Sequence, residues 1–169
     1  GIFRDVFIRA VPAVSLWDVY AHPSVNLIDQ TGSVSLHYSA VNFTDKEQSG
    51  YTVSVSVVSP EGKELKRQSF KINPVAEGLN KEEILSEIAL GKIELWFAEK
   101  PVQYQVYVEL KQKGETIEAY RLPVAFRKLE VAGNKLLLNG KLLKVRGVNR
   151  HEFSPDQGWA ISKDEMVRD

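Results

Sequence analysis

Residues Asn149-Arg150-His151-Glu152 set four hydrogen-bonding side chains in a row, one of them a titratable imidazole. They follow an apolar, strand-like run, and α/β folds place ligands at the C-terminal ends of strands. An imidazole beside a cation and a carboxylate can polarise a ligand hydroxyl or carry a proton. The same four residues can equally cap a strand and tie down the loop after it, and spacing alone leaves both readings open. His22 and His37 are isolated from each other and from any acidic cluster. A metal needs three or four convergent ligands, so both histidines read as structural or surface residues. The chain has no cysteine, which removes thiol nucleophiles, disulfide frameworks and cysteine-ligated zinc together. No Gly-x-Ser-x-Gly elbow and no glycine-rich phosphate loop occurs.

The elements that must position these groups are mostly strands. Val34–Phe43 and Tyr51–Val58 alternate apolar and polar residues, the mark of a strand with one buried face. Ser59-Pro60-Glu61-Gly62-Lys63 turns the chain, and Glu64–Ile72 returns as a hairpin partner. Val102–Leu110 alternates again, Lys111-Gln112-Lys113-Gly114 forms a solvated turn, and Thr116–Phe126 returns. Ser15–His22 adds a sixth strand. Asn80–Leu95 fits both helical and period-two spacing; strand is preferred because a seventh strand completes a two-sheet sandwich. Pro23, Pro60, Pro74 and Pro101 are expected at strand ends or in turns, where a missing N–H costs nothing. The fold class expected is therefore all-β, an immunoglobulin-like antiparallel β-sandwich of about seven strands. Trp17, Trp96 and the other aromatics read as core or inter-domain packing, although aromatic rings can also line a sugar platform.

After Phe126 the pattern changes. Lys135–Val145 is a hairpin centred on Asn139-Gly140, the strongest two-residue type I′ signal. Ser162-Lys163-Asp164-Glu165 has the capping-box form that opens a helix. Strand, loop and helix in that order begin an α/β unit.

Composition bounds the rest. In 169 residues, 22 Lys plus Arg balance 22 Asp plus Glu, and 43% are hydrophobic. That suffices for a real core, and the absence of a basic surplus argues against nucleic acid or an anionic membrane as partner. No apolar run reaches the roughly 20 residues that span a bilayer. The chain begins at Gly1 and closes in what reads as the first turn of a helix, so it is expected to be a segment of something longer.

The stretch Leu136-Leu137-Leu138-Asn139-Gly140-Lys141, followed by Arg146-Gly147-Val148-Asn149-Arg150-His151-Glu152, closely resembles the entry to the catalytic barrel of family-two glycoside hydrolases. The β-galactosidase branch is the best match. Gly1-Ile2-Phe3-Arg4-Asp5-Val6 is similar to that branch's exit from its N-terminal jelly-roll domain. Leu95-Trp96-Phe97-Ala98-Glu99-Lys100-Pro101 resembles its middle domain, and Val124-Ala125-Phe126-Arg127-Lys128 its Gly-Phe-Arg stretch, with Ala125 in place of the usual Gly.

The resemblance implies residues 1–12 as a linker from the jelly roll, 13–128 as the immunoglobulin-like domain, and 129–169 as the start of an incomplete TIM barrel, with its first strand and helix start. It also implies retaining hydrolysis by two carboxylates. In this clan the acid/base follows an Asn directly, yet no Asn-Glu pair occurs in the chain. No catalytic residue is therefore expected here, and the isolated chain should hydrolyse nothing. By motif, His151 is the implied contact to the sugar at the nonreducing-end subsite, with Asn149, Arg150 and Glu152 as supporting residues. Phe153-Ser154-Pro155-Asp156 replaces a stretch where a second histidine is common. Magnesium and sodium are implied for the full-length parent, with ligands outside this chain and none within it. Further implications are a β-galactoside substrate, the parent's remaining domains as partners, a homo-oligomeric parent and a cytoplasmic location. The competing readings are a β-glucuronidase or β-mannosidase segment of the same family, and an autonomous carbohydrate-binding sandwich.

Overall fold

The computed structural model describes residues 5–73, 75–79 and 83–168, and for residues 83–86 the backbone only. Gly1–Arg4 of the expected jelly-roll exit, Pro74, and residues 80–82 of the segment of uncertain period lie outside the described residues. Val11–Leu143 gathers into one compact unit; residues 5–10 and 144–168 belong to another. Each is described by itself.

In the larger unit, alternation has done what it predicts. The strands are β1 (Val14–Asn26), β2 (Thr31–Asn42), β3 (Tyr51–Val58), β4 (Glu64–Lys71), the two-residue β5 (Gly78–Leu79), β6 (Glu83–Lys92), β7 (Tyr104–Gln112) and β8 (Glu115–Val124). One sheet sets β1 and β6 on either side of β2, with β5 continuing the β6 edge; the other runs β4-β3-β7-β8. All the pairings are antiparallel. The described part of the ambiguous segment is thus a strand. Its β-pairing to Thr31–Tyr38 decides against the helix that local composition would permit.

The core lies between the sheets. Leu16, Val34 and Leu36 face Val53, Val55, Val57, Val106, Val108 and Leu110 across it, all fully buried. Each such side chain contributes about 1.5–3 kcal/mol over its exposed state. The sheets are also tied by polar contacts. Around a bulge between Leu16 and Asp18 on β1, the carboxylate of Glu118 on β8 accepts from the Leu16 N–H (2.8 Å) and the Ser15 hydroxyl (2.9 Å). The Tyr120 hydroxyl sits 2.8 Å from the Leu16 carbonyl oxygen.

One expectation needs correcting. Pro23 is not at a strand end but inside β1, opposite Val34. It is tolerated because β1 is an edge strand, so its missing N–H has no ladder to break.

A third sheet is formed by β9 (Leu129–Ala132), β10 (Lys135–Leu138) and β11 (Lys141–Leu142). The Asn139-Gly140 turn has φ of 51° and 76°, the left-handed pair a type I′ turn demands. Four residues of β9 are too few to show a period, which is why it is absent from the sequence reading. Asn139 has a second task. Its N–H donates to the Lys128 carbonyl (2.8 Å), its Oδ1 accepts from the Lys128 N–H (2.8 Å), and its Nδ2 donates to the Trp96 carbonyl (2.9 Å). One side chain therefore fastens the hairpin to two segments of the sandwich.

Candidate functional site

In the smaller unit, residues 144–153 follow the hairpin with no strand ladder among the described residues. The parallel strands of a barrel take their partners from across helical crossovers of a dozen or more residues. Asn149, Arg150, His151 and Glu152 are all exposed. Phe153 N–H donates to the His151 carbonyl at 3.0 Å, turning the chain directly after the histidine. A closed loop follows. Ser154 and Gly158 exchange two backbone hydrogen bonds of 2.8 Å, and the Ser154 hydroxyl oxygen accepts from the Asp156 and Gln157 N–H groups at 3.4 Å. The rings of Phe153 and Trp159 meet edge to face at 5.8 Å across its base.

The helix α1 (Lys163–Arg168) starts as the capping box predicts. The Ser162 N–H and hydroxyl donate to Glu165 at 2.8 Å, and the Glu165 N–H reaches back to the Ser162 oxygen at 3.3 Å. Those donors hold the Glu165 carboxyl below its ordinary range. Arg150 donates from Nη1 to the Met166 carbonyl at 3.0 Å, where a cation meets the negative end of the helix. Arg150 thus binds the loop to the helix through a backbone carbonyl. His151 presents an exposed imidazole that can donate to or accept from a hydroxyl.

Among the described residues, no three His, Cys, Asp or Glu side chains converge as a metal's ligand set would.

In the larger unit, the structure brings together two histidines that appear isolated in the sequence. His22 on β1 and His37 on β2 have ring centroids 6.3 Å apart, and Tyr20 lies 6.0 Å and 6.4 Å from them. The register Tyr20↔His37 and His22↔Ser35 makes this a diagonal cross-strand cluster on the outward face. The i, i+2 spacing of Tyr20 and His22 was the readable half of the signal. The other half needed the turn that sets the register. Trp17 lies outside the core, 60% exposed, with Phe43 at 6.3 Å. Trp96 is half-buried, and the Arg127 guanidinium lies 4.6 Å over its ring. Both line an open groove of about 490 Å³ with Tyr20, His22, Gln103 and Pro123.

Comparison with known proteins gives a consistent picture. The family model described as Glycosyl hydrolases family 2 matches residues 14–127, and its TIM barrel domain model matches residues 129–169. Over the whole chain, identity is 32% across 180 residues to a β-galactosidase of Psychromonas ingrahamii and 33% across 172 residues to one of Photobacterium profundum. The chain spans 16% of the length of each of these relatives. Among solved structures, a β-glucuronidase of Parabacteroides merdae superposes with a TM-score of 0.79 at 24% identity, over 93% of this chain and 19% of that one. A β-glucuronidase of Bacteroides uniformis gives 0.73 at 24% identity, over 94% and 18%. At that identity the two structures speak for the fold.

Proposed function

Since the chain belongs to glycosyl hydrolases family 2, we propose that it is the immunoglobulin-like domain and the first barrel segment of a retaining β-galactosidase. The observation that carries this reading is the whole-chain alignment to curated β-galactosidases at about one-third identity. The parent hydrolyses terminal β-D-galactosides such as lactose, and the sandwich positions the barrel.

Retaining hydrolysis needs two carboxyl groups about 5–5.5 Å apart, one nucleophile and one acid/base. This chain has no Asn-Glu pair to supply the acid/base, so it is inactive alone. Its contribution to the site is His151, whose imidazole bonds a sugar hydroxyl and strengthens that bond as charge develops at the transition state. Arg150 ties the loop that bears His151 to the helix, a role its bond to the Met166 carbonyl supports. Asn149 and Glu152 have the same supporting task. The domains divide at residues 12/13 and 128/129, and the remaining domains of a cytoplasmic, homo-oligomeric parent are the partners of this chain. The parent's magnesium and sodium ligands lie elsewhere in it.

The test is a hydrolysis panel. Chromogenic β-galactoside, β-glucuronide and β-mannoside are offered to the full-length parent and, in parallel, to this 169-residue chain. Galactoside turnover by the parent alone is the expected result. Turnover by the fragment, or a parent that cleaves only glucuronide or mannoside, overturns the reading.

A further inference from the structure

We propose that the groove between Trp96 and Tyr20 on the sandwich is a binding site for a carboxylate-bearing sugar. Arg127 carries the argument. Its guanidinium is stacked 4.6 Å from the Trp96 ring centre and makes no ion pair among the described residues. None of the side chains lining the groove is a carboxylate. A stacked guanidinium keeps its planar fork of N–H donors facing outward, and the partner that satisfies it best is a planar carboxylate, gripped by two parallel bonds.

The rest of the lining suits a sugar ring. Tyr20, 57% exposed, offers an apolar face beside Pro123. Gln103 supplies both a donor and an acceptor for hydroxyls, and the His22 imidazole does the same. The volume of about 490 Å³ lies within the roughly 300–1,000 Å³ of small-molecule sites. The platform is also fixed in place. The Trp96 backbone N–H donates to the Phe126 carbonyl (2.9 Å), and its backbone carbonyl accepts from Asn139 Nδ2 (2.9 Å). The backbone that carries the indole is thus fixed before any ligand arrives, which lowers the ordering cost of binding. A neutral sugar would leave the Arg127 fork without an anion, and a bare carboxylate would leave the Tyr20 face uncovered.

The groove lies wholly in the sandwich unit, so the inference stands or falls apart from the glycosidase reading. The test titrates this chain with D-galacturonate, D-galactose and acetate, following the Arg127 Nε and Trp96 indole N–H resonances by NMR. Galacturonate is expected to bind saturably in the millimolar range, at least tenfold more tightly than either control, moving both resonances. Arg127→Gln should weaken it tenfold or more, Arg127→Lys several-fold because charge remains but the fork is lost, and Tyr20→Ala several-fold. Unsaturable binding, equal affinity for galactose or for acetate, or an Arg127→Gln chain that binds as before would each overturn the proposal.

Discussion

Gly32→Ala should destabilise the sandwich for a reason that nothing in its local sequence announces. Gly32 lies on β2 with a backbone any residue can adopt, so the argument is one of space. A Cβ there would stand 2.8 Å from Ile93 Cγ1, 2.9 Å from Phe126 Cε1 and 3.0 Å from Ile93 Cγ2. Neither neighbour can yield cheaply. Phe126 is fully buried and its ring is locked edge-on to Tyr104 at 4.9 Å, while Ile93 is only 8% exposed. Overpacking of this kind costs about 1–3 kcal/mol. Taking ~2 kcal/mol and about 2–4 °C per kcal/mol for a chain of this size gives a drop in melting temperature of roughly 4–8 °C. Thermal unfolding by circular dichroism measures it. Gly147→Ala is the control, because its Cβ meets nothing within 4 Å, and it should melt within about 2 °C of the parent chain. A double-mutant cycle sharpens the test. Ile93→Ala alone leaves a cavity costing ~2–4 kcal/mol, but it removes two of the three clashes. The pair should therefore cost less than the sum by about 1 kcal/mol. A Gly32→Ala chain that melts like the parent, or strict additivity with Ile93→Ala, refutes the steric argument.

Three further perturbations follow from the same reasoning. Glu118→Ala strips the acceptor from the Leu16 N–H and the buried Ser15 hydroxyl and should cost about 1–3 kcal/mol, read from urea midpoints; an unchanged midpoint would mean water replaces the carboxylate freely. Burial pushes the Glu109 carboxyl up, but hydrogen bonds from Thr116 and Lys111, with the charges of Lys111 and Arg67, leave it net lowered. A group depressed in the folded state stabilises above its unfolded value of about 4.3 and loses that contribution as pH falls through its folded value. Glu109→Gln should therefore destabilise at pH 7 and match the parent chain near pH 2, and an equal gap at both pH values would contradict the assignment. In the full-length parent, His151→Ala should lower kcat about 10²-fold if the proposed transition-state contact is made; a rise in KM with kcat unchanged would assign His151 to ground-state binding instead.

The features legible in the chain are those whose causes are local. Alternation over Tyr51–Val58 predicted β3 residue for residue, because a strand with one buried face writes its period into its own sequence. Asn139-Gly140 and Ser162–Glu165 were equally readable, the first because a type I′ turn needs two left-handed residues in a row and the second because its bonds span three residues. Motif order alone pointed to the family now matched across residues 14–127 and 129–169.

What stayed hidden depends on distant partners. Glu118 serves backbone and side-chain groups 102 and 103 residues away, and nothing around it marks that role. Asn139 reads as a turn residue, yet it also clamps Trp96, 43 residues back in the chain. The Tyr20–His22–His37 cluster and the stacking of Arg127 on Trp96 arise only once register and sheet order are set. A one-residue slip in that register would send Tyr20 and His37 to opposite faces. The sequence by itself determined most of the strands, the Asn139-Gly140 turn and the helix start, because those rest on short-range periodicity and hydrogen bonding, and its motifs carried the family resemblance. Which side chains share a surface, which glycine has no room for a methyl group, and which cation is left facing solvent were decided by tertiary structure, since each depends on residues that only the packing of two sheets brings within contact distance.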